Sequence, residues 1–189
     1  MNKVADKKER KGRRAYLNDF REDINGQYVY EGDRYTLDEE GISKKTLDTR
    51  LWLMTAVIAA GTVAGGCVPA SCMLNCFYCI LPFAGEAIAV FTLVWAMVKY
   101  SNGGEELRGY IYEKSVGVLP QRTFLAAFFA ALGFAGVIIY IIINGFEGTA
   151  ALTVIYLIIK VIVAICAWLM HKTVLSLKWK VNGKTAEEK

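Results

Sequence analysis

Two long runs of this chain carry no charged residue, Leu51 to Gly85 and Thr123 to Phe146. Each exceeds the roughly 20 residues that a helix needs to cross the hydrocarbon core of a bilayer. The 54% hydrophobic content of the 189 residues is therefore concentrated rather than spread, which sets the chain apart from a soluble domain of this size. The pattern predicts four spans, at about residues 51–68, 77–98, 123–143 and 149–170. The expected fold is an all-α, four-transmembrane-helix bundle. The first fifty residues are polar and hold no signal-peptide core, so the first span is expected to target the chain and to remain in it.

Lysine and arginine give the orientation, because cytoplasmic loops retain an excess of both. Twelve lie before the first span; Lys99, Arg108, Lys114 and Arg122 lie between the second and third, and five follow the fourth. The two opposite loops, Pro69 to Cys76 and Asn144 to Gly148, have none. Both termini are thus expected in the cytoplasm, with Trp52, Trp95 and Trp168 near the cytoplasmic ends of their spans as interfacial anchors. A compact chain without a cleaved leader fits a bacterial plasma membrane.

Residues 1–14, with seven basic and two acidic side chains, read as a disordered basic arm, and residues 172–189 as a basic tail. Either could contact anionic lipid headgroups. Nucleic acid is not expected, since the basic run has no interleaved aromatics. Residues 15–50 read as a small cytoplasmic cap. Tyr16, Leu17, Phe20 and Ile24 fall at helical spacing and stop at Asn25-Gly26. Tyr28-Val29-Tyr30 and Tyr35-Thr36-Leu37 then form a hairpin, and Ser43 caps a helix that runs into the first span. Tyr28-Val29-Tyr30-Glu31 recurs as Tyr110-Ile111-Tyr112-Glu113, which suggests that both copies join one sheet.

Residues 51–171 form the membrane domain. Gly61 and Gly65 on the first span, and Ala127, Ala131 and Ala135 on the third, make small faces suited to close helix packing. Glu86 and Lys160 interrupt the second and fourth spans at similar depth, so they are expected to form an ion pair. Such a pair serves either as a lock on helix register or as a proton or substrate site; in a chain this short the lock is the preferred reading. Thr153, Tyr156, Ala164 and Ala167 flank Lys160 along its helix, while Cys79, Pro82 and Phe83 lie above Glu86.

Four of the five cysteines, Cys67, Cys72, Cys76 and Cys79, fall within thirteen residues at the outer end of the first two spans. Structural disulfides or inert thiols are the first reading there. A zinc site is another, though no histidine is near. Cys76-Phe-Tyr-Cys79 is also a C-x-x-C at a helix start, where the helix dipole favours a thiolate. In span number and in the position of that C-x-x-C, the layout resembles the quinone-linked disulfide-forming membrane proteins of bacteria and, more distantly, vitamin K epoxide reductases. The resemblance implies a thiol oxidoreductase with quinone as cofactor. The second outer loop lacks the further cysteine pair of the bacterial group, and its arginine and polar quinone contacts beside the C-x-x-C are also missing, so the chain is assigned to neither family. Cys166 reads as packing and His171 as an interfacial cation.

No phosphate-binding, nucleophile-elbow, metalloprotease or kinase motif occurs. With no catalytic residue to name, the expected role is a non-catalytic subunit or accessory of a membrane assembly; the expected partner is another protein or, above all for the transport reading, a second copy of the chain in a homo-oligomer. The alternatives are a small oligomeric transporter using Glu86 and Lys160, and the Cys76/Cys79 oxidoreductase.

Overall fold

The computed structural model describes residues 19–23, 26–38, 43–146 and 150–182. The basic arm, Tyr16, Leu17, Ile24, the 147–149 stretch and the last seven residues lie outside them. Four helices are long and apolar enough to cross a membrane: α1 (Lys44–Cys67), α3 (Phe77–Ser101), α5 (Leu119–Asn144) and α6 (Ala150–Ser176). Two short helices, α2 (Ser71–Asn75) and α4 (Gly109–Lys114), sit in the connections, the second followed by a 3-10 turn over Val116–Val118. The 24 residues of α1 span about 36 Å at 1.5 Å per residue.

Ser43 starts α1 with extended backbone, and its hydroxyl accepts the Thr46 amide hydrogen at 3.3 Å. The helix then passes through Asp48 into the first apolar run without a break. Both α1 and α6 reach beyond the predicted spans at the cap end of the bundle. Each long helix is apolar on its outward as well as its inward side: Leu53, Ile88, Phe91, Ile142 and Ile158 are all exposed. A helix that is hydrophobic all round suits a lipid exterior or a deeply buried site.

The helices form a square. Helix α1 packs on α3 and α6, and α5 packs on the same two, so α3 and α6 face each other across the diagonal. Leu51, Ile58, Leu93, Met97, Ala126, Ala130, Val163 and Met170 fill the interior towards the cap. Gly61 and Gly65 place α1 against Val163 and Ile159 of α6. On α5 the small-residue face differs from the expected one. Ala127 is buried, but Ala131 and Ala135 are exposed, and the inward stripe is Ala126, Ala130, Gly133 and Gly136. A strict four-residue repeat drifts round a helix of 3.6 residues per turn, so alternating steps of three and four hold one face.

The cap also departs from expectation. Phe20–Glu22 is a strand, β1, instead of the expected helical turns, and it pairs antiparallel with β2 (Tyr28–Tyr30). Strand β3 (Arg34–Leu37) pairs with β4 (Leu107–Arg108) and β5 (Trp179–Asn182) rather than with β2. The expected 28–37 hairpin therefore does not form, and residues 179–182 belong to a sheet instead of a free tail. The Tyr110–Glu113 copy of the tyrosine motif is helical, within α4. The two copies nonetheless meet: the Gly109 amide donates to the Tyr30 hydroxyl at 2.9 Å, and the Tyr30 and Tyr110 rings lie 6.4 Å apart.

Candidate functional site

The interior charges meet on the diagonal. Lys160 Nζ on α6 donates to Glu86 Oε2 on α3 at 2.6 Å, and neither side chain has any exposed surface. Thr62 of α1 donates from its hydroxyl to Glu86 Oε1 at 2.9 Å, so each carboxylate oxygen has a donor. The fourth helix contributes by omission. At Gly133 of α5 an added Cβ would lie 3.7 Å from Lys160 Cε, which shows how closely the lysine stem passes over that helix. The ammonium also lies 4.8 Å from the centre of the Phe83 ring and 5.1 Å from that of Tyr156. Aromatic faces attract a desolvated cation. All four helices thus converge on one buried polar centre.

Sequence spacing places these groups together for a simple reason. Helices α3 and α6 run the same way, and each charge lies a similar number of residues from the same end, so a common rise per residue brings them level. The spacing carries no sign of Thr62, a routine hydroxyl in an apolar run.

Above this centre lies a second buried cluster. Cys72, Cys76 and Cys79 pack with Ala70, Val137, Tyr140 and Tyr156. Cys67 stands apart, exposed at the end of α1, and all five cysteines are free thiols. The cluster is buried, and burial raises the Cys72 thiol above its ordinary value; a buried thiol in apolar surroundings is a poor nucleophile. Among the described residues no group of His, Cys, Asp or Glu side chains is placed to hold a metal ion. Glycine again makes the room. A Cβ on Gly136 would stand 2.9 Å from the Tyr78 carbonyl oxygen and 3.6 Å from Cys79 Sγ. Pro82 sits four residues after Tyr78 inside α3 and has no N–H to offer that carbonyl, which leaves it open to the close approach of α5.

Tyr156 joins the two levels. Its ring touches the thiol cluster on one side and Lys160 on the other, and its buried hydroxyl has no hydrogen-bond partner. The column therefore runs from three thiols through a phenol to the ion pair and ends on Thr62.

The remaining residues singled out by sequence lie elsewhere. Cys166 is half-buried on α6. His171 donates from Nδ1 to the Pro120 carbonyl at 3.0 Å, with its ring against Phe124 and Trp168, so it ties α6 to the start of α5. Asp48 Oδ1, Tyr100 Oη and Trp179 Nε1 are also buried, at the junction of bundle and cap, where the Asp48 carboxylate and the Tyr100 phenol act on each other.

No protein-family model matches the chain, and neither the curated proteins nor the solved structures searched contain a similar one.

Proposed function

We propose that the protein is a multi-pass plasma-membrane protein with its cap and both termini in the cytoplasm, and that it serves as a non-catalytic subunit or accessory of a larger membrane assembly. The observation that carries this reading is the enclosed Glu86–Lys160 pair. It connects two helices that are not neighbours, takes a second hydrogen bond from Thr62 of α1, and rests over Gly133 of α5. Such a centre selects one arrangement of four helices and leaves their outer surfaces for lipid and partners. The orientation rests on the lysine and arginine distribution.

Breaking a buried pair by removing one partner leaves an uncompensated charge, which costs about 3–5 kcal/mol, whereas replacing both can be neutral. Glu86→Gln and Lys160→Met singly are therefore expected to destabilise the bundle in detergent, and the double variant to recover most of the loss. In native membranes, crosslinking the wild type and the double variant should give the same complex with another protein. A double variant that folds but supports no function would make the pair a transport or proton site instead. A crosslinked product containing this chain alone would favour the homo-oligomeric transporter.

A further inference from the structure

A groove of about 470 Å³ opens at the cap end of the bundle between α3, α4 and the start of α5. On α3, Phe91, Trp95 and Lys99 recur every four residues along one face, a ladder of two aromatic rungs and a cation about 12 Å long. Phe91 and Trp95 are 72% and 59% exposed. The Lys99 ammonium lies 5.4 Å from the centre of the Trp95 ring. Lys114 of α4 and Arg122 of α5 line the groove together with Lys99, and Glu113 is the one carboxylate in its lining. The lining thus holds three cations and one carboxylate, net positive towards the cap, while Trp95 and Phe91 continue it away from the cap as an aromatic surface.

That sequence of surfaces is amphiphilic in the order of a lipid molecule. We propose that the groove binds an anionic phospholipid, with its phosphate held by Lys99, Lys114 and Arg122 and an acyl chain lying along Trp95 and Phe91. A soluble anion would use the cations and leave the aromatic ladder idle. A second groove of about 480 Å³ lies on the opposite side, between α1 and α6, with Arg50 and Lys172 in its lining; Trp168 stands outside that lining, its ring centre 5.8 Å from Lys172. Trp95–Lys99 and Trp168–Lys172 share one spacing. The inference rests on the membrane placement proposed above, but not on which side the cap faces.

The test uses the full chain in nanodiscs of mixed phosphatidylcholine and phosphatidylglycerol, with the retained lipids counted by native mass spectrometry. The wild type should retain phosphatidylglycerol selectively. Lys99→Gln and Arg122→Gln should each lower that preference about fivefold, since one cation near a lipid surface is worth about 1 kcal/mol. Lys45→Gln, which removes an exposed cation at the same end but outside either groove lining, should leave it unchanged. Equal loss in Lys45→Gln, or unchanged preference in the Lys99→Gln/Arg122→Gln double variant, would overturn the proposal. So would displacement of the lipid by millimolar glycerol phosphate, which would mark a phosphate site with no use for a tail. A chain that does not enter the discs overturns the membrane placement and the inference together; one that enters without preference overturns the inference alone.

Discussion

Gly133 and Gly136 lie almost one turn apart on α5, yet their missing side chains matter differently. A methyl group at Gly133 would meet Lys160 Cε at 3.7 Å, an ordinary contact, whereas at Gly136 it would stand 2.9 Å from the Tyr78 carbonyl oxygen, which belongs to the backbone and cannot swing aside. Gly133→Ala is therefore expected to change bundle stability by no more than about 1 kcal/mol, the scale of the helix propensity gained. Gly136→Ala should cost about 1–3 kcal/mol, as other overpacked interiors do. Thermal unfolding of the two variants in the same detergent decides it, and equal effects would refute the close approach. Neither glycine stands out in the run Leu132-Gly-Phe-Ala-Gly-Val137, because a glycine needed for helix contact and one that is dispensable look alike until the facing helix is known.

At the level of elements, the cap shows what short segments cannot decide alone. Phe20 lies at helical spacing from its neighbours in sequence, but in β1 it pairs with Tyr30, edge to face at 5.2 Å, and Arg108 lies over both rings. A few residues make too short a helix to persist in water, where nucleation is costly, and pairing with β2 satisfies the same backbone groups. Tyr30 holds the arrangement: it accepts from Gly109 and donates to the Asp33 carbonyl at 3.2 Å. Burial, above all, raises its phenol above the ordinary value, against a smaller opposing effect of the Gly109 bond. The folded state thus keeps a proton that the unfolded state releases near pH 10, so cap stability should fall as the pH rises above about 10. Tyr30→Phe should remove this dependence and cost about 0.5–1.5 kcal/mol for each net hydrogen bond lost. Hydrogen exchange of β1 and β2 amides against pH would show it; an unchanged alkaline slope in the variant would assign the effect to another group.

In the whole molecule, cap and bundle are joined by a pile of rings. Tyr35 of β3 stacks on Tyr112 of α4 at 4.0 Å, Trp179 of β5 meets Tyr112 at 5.6 Å, and Trp179 meets Tyr100 of α3 edge-on at 6.4 Å. Residue 179 therefore clamps a sheet drawn from three distant stretches of chain. Trp179→Ala should release it, at a cost of about 1–3 kcal/mol for two aromatic pairs. Faster exchange in β3, β4 and β5 with unchanged protection in the four long helices is the expected result, and protection lost uniformly would make cap and bundle one cooperative unit.

The length and apolarity of four helices, the start of α1 at Ser43 and the level of Glu86 with Lys160 were all legible in residue order. Each depends on local counting: how many residues cross a given thickness, which side chain caps a first turn, how far a charge lies from a helix end. Long uncharged runs constrain so strongly because no short-range alternative competes with them. Other features were decided only in three dimensions. Strands β4 and β5 are two and four residues long, too short to signal themselves, and β3 finds them only because the bundle brings the ends of α3 and α6 beside the start of α1. The square order of helices, the inward stripe of α5, Thr62 as third partner of the ion pair and the separation of Cys67 from the other thiols have the same origin. They are properties of faces, and a face is defined by the neighbour it meets, which local sequence does not contain.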